Sequence, residues 1–475
     1  VTSAAPSDAV RVLAARSGAV LELGERFAAA GHELALVGGP VRDALLGRPV
    51  TDLDLTTDAT PERIVELVSG AADAVWDVGM AFGTVGVKIG DERLEITTYR
   101  AEAYDRTSRK PEVSFGTSLA EDLVRRDFTV NAMAVRVPSW EFVDLHDGLA
   151  DLAAGRLRTP GRPEDSFSDD PLRMMRAARF ASSLGFGVDR EVVEAMTAMS
   201  GRLAIVSAER VRDELVKLVL GQDPRAGLAL LVETGLAQLV LPELPALALE
   251  VDEHHRHKDV YEHTLQVLER AIALETSHEP TSGPDFVLRF AALMHDVGKP
   301  KTRRFEDDGR VSFHHHEVVG ARMTRKRMQI LRFPTDVTDE VCTLVELHLR
   351  FHGYGDGEWT DSAVRRYVRD AGDQLVRLHK LTRADCTTRN KRKADRLARA
   401  YDHLEERIAE LSEQEELAAM RPDLDGNQIM EILGIPPGRE VGEAYRYLLE
   451  LRLDRGPLGE EAATAELRTW WASRP

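Results

Sequence analysis

The chain is 475 residues long, 43% apolar and 30% charged, with a formal net charge of −18. That length requires more than one domain, and no apolar run approaches a membrane span. The only cysteines, Cys342 and Cys386, make no disulfide framework, so a reducing cytoplasm is expected, and the first residues lack the apolar core of a signal peptide. The acidic balance argues against a general nucleic-acid coat. It leaves room for an RNA-binding enzyme that gathers its basic residues on one face, and 106–110, 125–126, 173–179, 322–332 and 389–399 are candidate clusters.

Residues 1–30 read as a helix, with Val10, Leu13, Val20, Leu21, Leu23 and Phe27 toward one face. A small α/β domain is then expected from Leu34 to about Val143. An apolar run (Leu34, Leu36, Val37) meets Gly38-Gly39 and a short helical segment carrying Arg42, with Pro40 in its first turn. A second extended piece follows, bearing Asp52 and Asp54. Residues i and i+2 of a strand share a face, so both carboxylates are expected to project together. Paired carboxylates held this way suit two divalent cations that clamp the attacking and leaving oxygens of phosphoryl transfer. The glycines and the helix start suit a triphosphate.

Thr60-Pro61 opens a helix to Val68, and Gly90-Asp91 separates two strands of a hairpin, 85–89 and 93–99. Glu95, in mid-strand between Leu94 and Ile96, is either a satisfied polar group on an open face or a third metal ligand. Residues 101–117 have no periodicity and read as a long loop. Within the next segment, Arg126 is a candidate for triphosphate or sugar, while Asp127 and Asn131 suit either binding or a cap that holds the strand.

From about Asp147 the composition turns helical. In DPLRMMRAARFASSLGF, Asp170 and Arg173 stand three apart, close enough on a helix to meet one base edge. Cytosine and adenine both present an amine donor beside a ring-nitrogen acceptor, so a carboxylate with a guanidinium accepts them and rejects uracil and guanine. Arg176 and Arg179 continue at the same interval but rotate away, toward phosphate, sugar or structural pairing. A helix from Ser207, with a serine N-cap, and another over 226–241 complete this part.

Residues 250–400 carry most of the histidines. His263, His295-Asp296, His316, His348 and Asp385 form an ordered set of nitrogen and oxygen donors suited to Mn, Ni, Fe, Zn or Mg. Such a site would activate water against a phosphoester. His314 or His315 is an alternative to His316, and His254, His255 and His257 are either substrate contacts or solvated. A basic stretch from Arg389 leads into a long polar helix, and LGIPPGREVG joins two short amphipathic helices near the end.

The glycine and DxD unit, together with Arg125–Ala132 (RRDFTVNA), resembles the signatures of class II tRNA CCA-adding enzymes and bacterial poly(A) polymerases. The histidine set resembles the HD metal-dependent phosphohydrolase domain. The resemblance implies an α+β fold, with a polymerase-beta-like α/β nucleotidyltransferase head (1–145) and a helical neck that selects the nucleotide (146–245). An HD-type helical body (246–400) and a tRNA-contacting helical tail (401–475) follow. It implies catalytic Asp52, Asp54 and Glu95 holding Mg²⁺, with Gly39, Arg42 and Arg126 placing the triphosphate. Asp170 and Arg173 would read the base. His263, His295, Asp296 and Asp385 would hold a divalent transition metal or Mg²⁺, with His316 and His348 at a second ion. The expected activity is addition of C, C and A to tRNA 3′ ends from CTP and ATP. Poly(A) addition, or an HD phosphohydrolase with a nucleotide-binding head, is the alternative, and a degenerate HD site serving as a spacer is another.

Overall fold

The structure, a computed structural model, describes residues 6–16, 18–50, 53–76, 80, 83–101, 114–116, 118–249, 260–278, 283–307, 311–351, 354, 359–387, 390–415 and 421–474. It divides into two compact units, Val1–Pro242 and Glu243–Pro475.

The first unit is built on a mixed seven-stranded sheet. Its strands are β1 (Leu34–Val37), β2 (Leu53–Thr57), β3 (Ala74–Trp76), β4 (Thr84–Ile89), β5 (Glu92–Thr98), β8 (Met133–Val137) and β9 (Glu141–Asp144). β6 (Arg100–Ala101) and β7 (Ser114–Phe115) form a separate two-residue ribbon. The sheet order is β3-β4-β5-β2-β1-β8-β9, and only the β2–β5 pair is parallel.

All four residues of β1 are buried, as befits a strand covered on both faces. The helix Gly18–Ala29 packs on β1 and β8. A Cβ on Gly24 would come within 3.0 Å of Val137 Cβ, so glycine permits that close approach. On the sheet, Ala35, Val37, Tyr99, Leu119, Leu123, Ala132, Ala134 and Val143 form one core cluster. The expected N-terminal helix is two helices, Pro6–Arg16 and Gly18–Ala29, with Ser17 outside the described residues. Most of the expected loop 101–117 also lies outside them.

Helices complete the unit. Leu172–Leu184 packs against both Ala208–Val219 and Pro224–Glu233. A Cβ on Gly227 would meet the Ala178 carbonyl at 2.6 Å, so this crossing needs a bare backbone. The Ser207 hydroxyl accepts from the Arg210 amide and caps its helix. The helix expected over 226–241 is instead two, Pro224–Glu233 and Ala237–Val240, with Gly235 at φ +79° between them.

Among the described residues the second unit is helical apart from a two-residue ribbon. Val260–Ala273, Phe286–Met294, His316–Ile330, Thr335–Leu347 and Leu375–Asp385 form its body, and the 25-residue helix Lys391–Glu415 follows. Gly426–Leu433, Arg439–Arg455 and Glu460–Ala472 share a small core of Leu424, Ile429, Ala444, Leu448, Ala463 and Leu467. Asp425 and Gln428 make a reciprocal capping box. The second helix after LGIPPGREVG was expected to be short and runs 17 residues.

Candidate active site and metal centres

β2 and β5 lie side by side in parallel, and Asp54 is the register partner of Glu95. Leu53, Leu55, Leu94 and Ile96 point into the core, so alternation turns Asp54 and Glu95 outward on one shared face. Asp54 is half-buried and Glu95 exposed. Asp52 lies outside the described residues, one position before β2. The two described carboxylates thus form an acidic patch on a rigid support, with oxygen donors of the kind hard divalent cations take.

The glycine turn follows β1. The backbone demand falls on Gly38, at φ +74°, where an L side chain is strained and a Cβ would lie 2.9 Å from Arg126 Nη1. A Cβ on Gly39 would meet nothing. Arg126 is held by Asp122 at 3.0 Å, and Arg42 donates to Asn131 Oδ1 at 2.8 Å while forking onto Asp43. Asn131 in turn donates to Asp127 Oδ1 at 2.9 Å, and Asp127 also receives the Phe128 amide at 2.8 Å and Arg176 Nε at 2.7 Å. Burial alone would raise the Asp127 carboxyl. The Arg176 guanidinium and the Asn131 amide outweigh it and hold the group well below the usual carboxylate range.

Asp170 does not lie on a helix with Arg173, as the sequence suggested. It is extended (φ −142°, ψ 102°) and precedes the helix Leu172–Leu184, because Pro171 and the Asp170 side chain, which accepts the Leu172 amide, set the helix start. Its other oxygen takes Arg210 Nη2 at 2.7 Å. Arg173 donates to the Ser166 hydroxyl at 2.8 Å and to the Arg125 carbonyl at 2.6 Å. Arg176 and Arg179 each face an acid of this unit. Arg176 pairs with Asp127, Arg179 Nε is 3.0 Å from Glu214 Oε2, and the Arg179 guanidinium lies 4.1 Å from the Phe180 ring centroid. Burial, then the neighbouring Arg176 charge, pushes Arg179 down to about 10.

Glu214, Arg210 and Phe180 belong to this network and were not singled out from the sequence. Glu214 left a signal: it is an acid on the face that buries Val211, Leu215 and Leu218, and such a residue requires a cationic partner.

In the second unit the histidines converge. His263 Nε2 is 3.0 Å from Asp385 Oδ1 and 3.6 Å from Asp296 Oδ2, while His295 Nε2 is 3.3 Å from Asp296 Oδ2 and 3.6 Å from Asp385 Oδ1. On the other side of the same carboxylate, His316 Nε2 is 3.2 Å from Asp296 Oδ1, and His348 completes a second group with these two. Asp296 therefore faces both groups. The Nδ1 atoms of His295, His316 and His348 engage the carbonyls of Ala292, Phe313 and Val345, three residues earlier in each case. This turns each Nε2 inward as a lone pair.

All three Nε2 atoms are buried without a hydrogen bond. Burial disfavours a charged His295 ring, yet Asp296 and Asp385 push it up to about 10, whereas burial pushes His348 down to about 3. Packed carboxylates here demand positive charge, and this donor set fits a divalent metal. Lys299, missed by the sequence reading, reaches Asp296 at 2.9 Å. His314 and His315 are exposed and remain outside the group; His254, His255 and His257 lie outside the described residues.

Comparison with known proteins follows the same division. The family model of the poly A polymerase head domain matches residues 34–158, that of the probable RNA and SrmB-binding site of polymerase A matches 185–247, and that of the HD domain matches 260–390. The chain is 34% identical over 452 residues to an A-adding tRNA nucleotidyltransferase of Deinococcus radiodurans, covering 92% of this chain and 95% of that protein. It is 40% identical over 237 residues to a CCA-adding enzyme of Enterococcus faecalis, covering 47% of this chain and 57% of that protein. The solved CCA-adding enzyme of Bacillus stearothermophilus in complex with CTP superposes with a TM-score of 0.65 at 25% identity, covering 96% of this chain and 97% of that one.

Proposed function

Because the chain belongs to the tRNA nucleotidyltransferase and poly(A) polymerase family, we propose that it adds C, C and A to tRNA 3′ ends from CTP and ATP, releasing pyrophosphate. The observation that carries this reading is the register pairing of Asp54 with Glu95 on one open face, in the unit that holds the Gly38 turn and Arg126. Asp52, Asp54 and Glu95 would hold Mg²⁺. When bound, Mg²⁺ would lower the pKa of the terminal ribose hydroxyl and neutralise the triphosphate.

Arg42 and Arg126 offer charge to the triphosphate, each oriented by a fixed acidic partner. Asp170 and Arg173 read the base edge, Asp170 held by Arg210 and Arg173 by Ser166 and Arg125. Arg176 and Arg179 act behind them, locking the selecting helix to Asp127 and Glu214. In the second unit, His263, His295, Asp296 and Asp385 would hold one divalent ion and His316 and His348, with Asp296, a second. The chemistry supplied there is water activation for phosphoester hydrolysis. The cytoplasm, tRNA as partner, and the head, neck, body and tail boundaries complete this reading; among the described residues no helix is long and apolar enough to cross a membrane.

The test is incubation of tRNA lacking its last three nucleotides with CTP, ATP and Mg²⁺. Growth by three nucleotides supports CCA addition, and long A tails would favour the poly(A) alternative. A second reading, addition of the final A alone, is favoured by the A-adding relative that spans nearly the whole chain. It predicts no incorporation from CTP and a single A on tRNA ending in CC.

A further inference from the structure

Apart from the histidine-rich centre, His278, His379 and Glu405 also converge in the second unit. His278 lies in the turn after Val260–Ala273, His379 on Leu375–Asp385, and Glu405 on Lys391–Glu415. His278 Nε2 stands 3.2 Å from Glu405 Oε2, and His379 Nδ1 stands 3.5 Å from Glu405 Oε1. In a tetrahedral zinc site with ligand bonds of about 2.0–2.1 Å, donors lie about 3.3–3.4 Å apart. Both contacts to Glu405 are close to that spacing, and the three donor atoms all lie within 4.8 Å of one another.

We propose that His278, His379 and Glu405 form a further cation site, of the Zn²⁺ class with a fourth position left to water, that ties the long helix to the helical body. The side chains are set for it. The Ser277 hydroxyl lies 2.7 Å from His278 Nδ1, which leaves Nε2 for the ion. Tyr367 stacks on His379 at 5.9 Å and 6°, fixing the ring plane. His379 Nε2 is buried without a hydrogen bond, so the polar contact of the ring is toward Glu405. Burial pushes His379 down to about 4 against the pull of Glu405, which keeps the imidazole neutral and able to ligate.

Arg383 grips Glu405 Oε1 through Nε at 3.0 Å and reaches Asp402 at 2.8 Å. That guanidinium competes with an ion for Oε1 and weakens cation binding through charge repulsion. The site is accordingly weaker than a closed four-ligand zinc site.

The test uses the full chain, stripped of metal and titrated with Zn²⁺ alone. Native mass spectrometry is expected to count one more zinc on the wild type than on His278→Gln or Glu405→Gln, with tRNA extension unchanged in both variants. The same zinc count in wild type and folded variants would overturn the proposal. Anomalous scattering from zinc-soaked wild-type crystals gives a readout independent of variant folding. A peak between the three side chains is expected; a peak in the histidine-rich centre with none between these three would also overturn it.

Discussion

Asp127 shows how much a single side chain can organise. It receives one backbone amide, one side-chain amide and one guanidinium, the last two from segments that carry candidate binding residues. Its carboxyl is held below the ordinary value, so its stabilising effect is fully present above about pH 4 and drains as acid protonates it. Asp127→Ala leaves Arg176 only its 3.9 Å contact with Glu214 and is expected to cost about 3 kcal/mol in urea unfolding. The variant should also lose less of its remaining stability than wild type below about pH 4. An unchanged urea midpoint would show that the pair is ornamental. Asp170→Ala, by contrast, is expected to relax the preference for CTP over UTP by roughly tenfold or more while triphosphate affinity holds, read from single-nucleotide incorporation. The sequence made Asp127 and Asn131 visible as a pair but not Arg176 as their anchor, because that contact spans 49 residues.

At the scale of elements, two placements matter. The parallel β2–β5 register brings Asp54 and Glu95 together, although a helix and two strands separate them in the chain. Glu95→Gln is therefore expected to raise the Mg²⁺ concentration needed for half-maximal incorporation, and an unchanged Mg²⁺ dependence would remove Glu95 from the site. The other placement is at Gly298, three residues after His295. A Cβ there would come 2.1 Å from the His316 carbonyl and 2.7 Å from the Gly320 amide. Gly298→Ala is expected to push the His316 helix away from Asp296, so that the rise in melting temperature expected of wild type on adding Mn²⁺ is lost. Periodicity and caps made several helices legible, including those opening at Thr60-Pro61 and Ser207. They failed at Asp170, where a proline and a side-chain bond to the Leu172 amide start the helix two residues later than spacing alone suggests.

Across the whole molecule, the chain separates two kinds of chemistry into two compact units. The carboxylate and arginine network belongs to the first, and the histidine-rich centre to the second. Asp296→Asn is expected to abolish metal-dependent phosphoester hydrolysis while changing CTP and ATP incorporation by no more than about twofold, since the two centres belong to separate compact units and share no residue. Loss of both activities in a folded variant would show that the centres are coupled. The net charge of −18 adds a further expectation. RNA binding then rests on local basic clusters, and tRNA affinity should fall steeply as salt rises from 50 to 200 mM in a binding titration.

The sequence by itself determined the chemistry on offer: which acids, guanidiniums and imidazoles exist, and how they are spaced along the chain. Those properties are local, set by side-chain type, spacing and backbone preference within a few residues. Tertiary structure decided the company each group keeps. Strand register chose Glu95 to stand beside Asp54, helix packing gave Arg176 to Asp127 and Arg179 to Glu214, and the second unit drew His316 inward while leaving His315 exposed. Contacts between residues far apart in the chain arise only when the core closes, because burial makes each charge find its partner.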